Sequence, residues 1–119
     1  MFEAETPIYL QLAAQISEGI VRGDYPEGTA VPSTNERASF YRINPATAGK
    51  AVNALVDDGL LRKVRGLGMY VTEGAKARLK AQRQKEFSEK YVKPLVEEAN
   101  RLGISESEIF AHIKKEGKK

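Results

Sequence analysis

Apolar residues recur every fourth position from Ile8 through Leu12, Ile16 and Ile20, with Leu10, Ala13 and Val21 on their flanks. One apolar face at that period predicts a helix over residues 7–22. Thr6 is placed to cap it, Pro7 suits its first turn, where a missing N–H costs nothing, and Gly23 ends it. A turn-rich DYPEG at 24–28 follows, and Thr29-Ala30-Val31 is expected to form a short extended segment. Ser33 with Glu36 three positions on makes a capping box for a helix over 34–41, with Ala38 and Phe40 as its core contacts. Arg42 occupies the turn, where glycine is favoured for its positive φ, so either a different turn or a modest strain is expected. Asn44 caps the next helix, Pro45 fills its first turn and Gly59 stops it. Ala48, Ala51, Val52, Leu55 and Val56 face inward at helical spacing, leaving Ala46, Thr47, Gly49, Lys50 and Asn53 outward.

Alternation at 60–64 and 69–72 predicts two strands joined by Arg65-Gly66-Leu67-Gly68. A short helix, a turn, a second helix and a basic glycine-tipped hairpin describe a winged helix-turn-helix, which offers a helix to the DNA major groove and a hairpin to the backbone beside it.

The pattern changes after Gly74. Lys76, Arg78, Lys80, Arg83 and Lys85 crowd the start of a long helical stretch, and Phe87, Tyr91, Leu95, Ala99 and Leu102 then line one stripe. Pro94 breaks this pattern and is expected to distort the helix about a turn earlier, near Lys90. Ser105 with Glu108 forms a second capping box, and Ile104 with Ile109 has hydrophobic-staple spacing, opening a last helix over 106–115 with Ile109, Phe110 and Ile113 apolar. Two helices of this size cannot bury those stripes on each other alone. A second copy of the chain is the expected cover, with Phe87, Tyr91, Leu95, Leu102, Ile109, Phe110 and Ile113 at a dimer interface. The fold class is thus mostly α with a small β hairpin (α+β): a winged helix-turn-helix DNA-binding domain at 1–72 and an α-helical dimerisation module at 73–119.

Charge sharpens this picture and complicates it. The 119 residues carry a net charge of +3, yet residues 1–60 hold four bases against eight acids and residues 61–119 fifteen against eight. A phosphate-facing surface should be basic. Here the positive charge lies in the hairpin and beyond, and the half holding the reading helix is acidic. A second reading therefore stands beside the first: a winged-helix protein-interaction module without specific DNA binding. The basic run at 76–85 is read as a solvated helix face before a phosphate-contacting arm. With no cysteine in the chain, disulfides and thiolate zinc sites are excluded, and a reducing cytoplasm suits it. No apolar run approaches a membrane span, and the acidic start MFEAETP is not a signal peptide. A lone His112 offers no metal site, and no nucleophile–base set, phosphate loop or paired-carboxylate motif points to an enzyme or a cofactor.

Five linked segments, PIYLQLAAQI (7–16), VPSTNE (31–36), NPATAGKA (44–51), LVDDGLL (55–61) and RGLGMYV (65–71), resemble the DNA-binding domain of the GntR family of bacterial regulators. Asn44-Pro45 before Thr47, with a short two-helix tail, is similar to the YtrA-like subfamily. That resemblance implies a dimeric transcriptional regulator, usually a repressor, often of a transporter operon, on a palindromic operator. It places wing contacts at Arg65 and Gly66 and reading-helix contacts at Asn44, Pro45, Ala46, Thr47, Gly49 and Lys50, with Ser33 and Asn35 in the same DNA-binding set. Asn35 and Gly49 stand where the family often has arginine, and Lys50 keeps the charge of such a position without its bidentate geometry. The tail is too small to enclose a metabolite in one chain, so a small-molecule effector has a dimer-interface pocket around Phe87 and Tyr91 as its place.

Overall fold

The computed structural model describes residues 5–118, in two compact units divided after Lys80. In the first unit, α1 (Ile8–Arg22), α2 (Thr34–Tyr41) and α3 (Pro45–Asp57) precede a hairpin of β1 (Leu61–Val64) and β2 (Gly68–Val71), and α4 (Ala75–Phe87) begins there. Ala75 and Leu79, on the first turns of α4, join the core of the first unit.

The predicted period of α1 holds at Leu12, Ala13, Ile16 and Ile20, which are buried, and fails at its start, where Ile8 and Leu10 are exposed. Gly19 is buried too: a Cβ there would lie 2.5 Å from Cε2 of Tyr25, so the missing side chain lets that ring lie against the helix. Thr6 does not cap. Pro7 takes the N-cap position in extended geometry without a side-chain bond, and the Thr6 carbonyl instead accepts from the Gln11 amide nitrogen at 2.7 Å.

Both faces of the capping box at α2 form: Ser33 Oγ accepts from the Glu36 N–H at 3.1 Å, and Glu36 Oε1 from the Ser33 N–H at 3.2 Å. Ala38 is buried as expected, but Phe40 is 76% exposed. The two are separated by about 200° around the helix axis, so one inward face cannot hold both. Arg37, not Phe40, fills the second inward position.

Arg42 closes α2 at φ 56°, ψ 45°, the single non-glycine residue with positive φ among those described. A side chain in that region costs roughly 1–2 kcal/mol, against which glycine loses about 0.4–1 kcal/mol through the entropy of its unfolded chain. Arg42→Gly is therefore expected to stabilise the domain by up to about 1 kcal/mol, read as a higher urea midpoint with an unchanged slope. An unchanged or lower midpoint would show that the turn carries no strain.

Asn44 Oδ1 accepts from the Ala46 N–H at 2.8 Å, and α3 buries Ala48, Ala51, Val52 and Leu55 against α1 and α2. Val56 is only half-buried. The hairpin pairs Leu61 with Val71, Arg62 with Tyr70, Lys63 with Met69 and Val64 with Gly68, so the connection is one residue shorter than expected. Residues 29–31 add the anticipated edge in reduced form. Ala30 bridges Tyr70, the Val31 N–H donates to the Met69 carbonyl and the Val71 N–H to the Thr29 carbonyl, both at 2.9 Å. At the exit of the wing, Glu27 Oε1 accepts from the Gly74 N–H at 2.6 Å, tying the 24–28 loop to the start of α4.

In the second unit a π-helical turn (Ser88–Val92) precedes α5 (Lys93–Leu102) and α6 (Glu106–Gly117). Pro94 has no N–H for the Lys90 carbonyl, and the wider turn relieves the contact between its ring and that carbonyl. Ser105 and Glu108 form the second capping box as expected. Ala99 is the one buried hydrophobic residue of this unit among those described. An isolated unit of this kind has no core of its own.

Candidate nucleic-acid interface

The N-terminal end of α3 is exposed. Asn44, Pro45 and Ala46 all lie at the surface, and Thr47 is half-buried. Pro45 has no N–H, and the Ala46 and Thr47 N–H groups both donate to Asn44, to its side chain and its carbonyl, so these first-turn residues offer an anion the helix dipole but no free donor. Asn44 spends its side-chain oxygen on the Ala46 N–H. Ser33 likewise spends its hydroxyl oxygen as a cap, whereas Asn35 is exposed on the first turn of α2.

Gly49 faces α2 with room to spare, since a Cβ there would sit 3.7 Å from Thr34 Cγ2, an ordinary contact. Packing therefore does not demand glycine at this position. Lys50, one residue on, is exposed, and its ammonium lies 4.2 Å from the centroid of the Tyr9 ring. Tyr9, Ala46, Gly49, Lys50, Asn53, Ala54 and Asp57 line an open groove of about 550 Å³ along the outer face of α3. Tyr9 was not legible as part of this surface. It sits on the flank of the α1 stripe, and only the packing of α1 on α3 brings its ring under Lys50. Asp57 puts one acid at the far end of the groove, in keeping with the acidic first half of the chain.

The wing is more plainly suited to phosphate. The Leu67 N–H donates to the Val64 carbonyl at 2.9 Å, closing a turn with Gly66 at its third position, where φ is 80° and glycine alone is free of strain. Arg65 and Gly66 are exposed at the tip. Behind them Arg62 lies across its cross-strand partner, with its guanidinium carbon 5.9 Å from the Tyr70 ring centroid. Of the basic run, Arg78 serves the fold: its Nη2 donates to the Asp58 carbonyl at 2.9 Å, satisfying the C-terminal end of α3. Lys76, Lys80 and Lys85 are exposed.

In the second unit, Phe87, Tyr91, Leu95, Ile109, Phe110 and Ile113 come together along an apolar groove of about 640 Å³. Leu102 is exposed but lies outside it. Among the described residues no group of three or more His, Asp or Glu side chains is placed to hold a metal ion, and no helix is long and apolar enough to cross a membrane.

Residues 8–71 match the family model of "Bacterial regulatory proteins, gntR family". The HTH-type transcriptional repressor YtrA of Bacillus subtilis is 32% identical over 111 residues, covering 93% of this chain and 85% of that protein. A GntR family transcriptional regulator from Listeria monocytogenes superposes with a TM-score of 0.71 at 31% identity, over 96% of this chain and 98% of that one. The DNA-binding domain of AraR, solved in complex with operator ORR3, superposes with a TM-score of 0.56 at 32% identity, over 60% of this chain and 87% of that one. These regulators share the helix pair and wing, and two of them extend over the tail as well. The chain belongs to the GntR family of bacterial regulatory proteins.

Proposed function

We propose that this chain is a cytoplasmic transcriptional repressor that binds a palindromic operator as a homodimer, with α3 in the major groove and the wing on the adjacent backbone. The observation that carries this reading is the pairing, within one rigidly capped unit, of an exposed α3 N-terminus bearing Lys50 with a glycine-tipped wing bearing Arg65. The operator complex of AraR and the repressor name of YtrA support it from similar proteins. The DNA-facing set is Ser33, Asn35, Asn44, Pro45, Ala46, Thr47, Gly49, Lys50, Arg65 and Gly66. From the resemblance of its motifs to the YtrA-like subfamily we infer that the genes it regulates are those of a transporter operon.

A gel shift against fragments of the source genome tests this directly. One or a few fragments should be retained in the presence of excess unrelated DNA, and the retention should fall steeply between about 50 and 200 mM salt. Absence of any retained fragment at low salt would instead favour a protein-interaction module.

The Lys50–Tyr9 contact gives a finer expectation. A cation–π contact at an exposed site is worth about 0.5–1 kcal/mol. Holding the long Lys50 side chain along the groove spares part of its ordering cost on DNA. Tyr9→Leu is expected to weaken operator binding about two- to fivefold, and to do nothing further once Lys50 is alanine. An effect of Tyr9→Leu that persists in the Lys50→Ala background would remove the coupling.

A further inference from the structure

Arg65, Gly66 and Leu67 join β1 to β2 beyond the last pair of the ladder, Val64 with Gly68. Leu67 is 69% exposed there and takes no part in the core cluster. Its N–H donates to the Val64 carbonyl, so its backbone is held while its side chain stands in solvent. Turn tips ordinarily carry glycine, proline or short polar residues, which leave nothing apolar facing water. A leucine at this point contributes nothing to the core.

Both neighbours of Leu67 are glycines, with φ 80° at Gly66 and 118° at Gly68, and a Cβ on either would meet nothing within 4 Å. Conformation, not packing, asks for glycine at both positions. The consequence is a tip with no side chain on either side of Leu67. The remaining exposed side chains of the wing, Arg62, Lys63 and Arg65, are all basic. An apolar point ringed by cations does not suit a hydrophobic protein surface, whose core is depleted of charge. It suits a polyanion with an apolar recess. The minor groove of duplex DNA is such a recess, with phosphates along its rims and sugars as its walls, and leucine is among the side chains that minor-groove proteins insert there.

That groove is only about 6 Å wide, so side chains on both flanks of the tip would hold the ribbon off at the rim. With glycine at 66 and 68 the backbone can come down to the rim, and one side chain reaches the floor. Guanine differs there from every other base by its 2-amino group. The amino group takes the space of a leucine methyl, and against that methyl it loses water without gaining an acceptor. A·T pairs present a smooth floor instead.

We propose that Leu67 enters the minor groove beside the half-site read by α3 and selects A·T over G·C pairs there by shape and desolvation, while Arg65 stays on the phosphate rim. The inference rests on the DNA-binding reading above and adds to it a base preference outside the major groove.

The full chain and Leu67→Ala are each used to enrich duplexes from a random-sequence pool, and fluorescence anisotropy then gives the affinities of the enriched duplexes. The parent is expected to enrich A·T pairs at a step flanking each half-site, a preference missing from the Leu67→Ala pool. Placing G·C pairs at that step should weaken the parent about tenfold, and I·C pairs should restore it, because inosine lacks only the 2-amino group of guanine. Leu67→Ala should bind all three duplexes within about twofold of one another, and Leu67→Met, of similar volume, should keep the parent's order. Leu67 lies outside the core, so these replacements leave the fold in place. Three results would overturn the inference and leave the DNA reading standing: no A·T preference at any flanking step, I·C pairs binding as weakly as G·C, or the same preference kept by Leu67→Ala. A parent that enriches no sequence at all would overturn both.

Discussion

A Leu95→Asp variant is expected to sediment as a monomer at micromolar concentrations where the parent runs as a dimer. Leu95 is 45% exposed in the single chain and lies in the tail groove, beside Phe87, Tyr91 and Ile113, which are also exposed. With Ala99 as its one buried hydrophobic residue among those described, the unit is left with an uncovered apolar face. In the proposed dimer a second copy removes that face from water, at about 25 cal/mol for each Å² of apolar surface buried. An aspartate there must shed its hydration against apolar neighbours. In a two-fold interface the change enters twice, so a penalty of several kcal/mol follows and raises the dimer dissociation constant by about 100-fold or more. Leu102→Asp is the comparison, since Leu102 lies outside the groove and its change should shift the equilibrium much less. A parent that is monomeric at micromolar concentration would sink the dimer. So would a Leu95→Asp chain that stays dimeric.

The second large effect concerns DNA. Arg65→Ala is expected to weaken binding to the operator and to unrelated DNA by similar factors, and to lower the salt slope by about one per copy, because a phosphate contact carries no sequence information. Lys50→Ala should behave differently. A side chain on the outer face of α3 that reaches a base edge contributes about 1–3 kcal/mol of discrimination, so its removal should cost roughly 5- to 150-fold on the operator and little on unrelated DNA. Fluorescence anisotropy on operator and scrambled duplexes at several salt concentrations separates the two. Loss of affinity by both variants to the same extent on both duplexes would mean that Lys50 touches only backbone. No loss by either would remove the assigned contacts altogether.

Asn35 and Gly49 bear on how that affinity is assembled. Neither brings a charge to the reading surface, and the open space around Gly49 shows that its glycine is not a packing requirement. Arg65 at the wing and the doubling of contacts in a dimer therefore carry a larger share of the proposed binding. Disrupting the tail should then lower operator affinity even though no tail residue needs to touch a base, since the second half-site would no longer be presented at high effective concentration.

Local chemistry was legible wherever the partner of a residue lies within one turn of it. Both capping boxes, the Asn44 cap, the glycine stops and the distortion ahead of Pro94 follow from groups close together along the chain. The wing was legible for a similar reason: alternation and a glycine turn place the bounds of its strands to within one residue. The failures have separate causes. Thr6 lost its capping role to Pro7, and the first turn of α1, with Ile8 and Leu10, runs out into solvent. Phe40 looked like core by hydrophobicity alone, and its position 200° from Ala38 turned it outward.

The sequence by itself determined the elements, their caps, the helix-turn-helix and wing, and through linked motifs the family. Those depend on hydrogen bonds and periodicities that span a few residues. Only the tertiary structure decided which surfaces the elements share. The packing of α1 on α3 put Tyr9 beneath Lys50, and the absence of a side chain at Gly19 seated Tyr25 against Arg37. The burial of Arg37, at 5% exposure, comes from three segments meeting in space, a property that no local pattern of residues encodes.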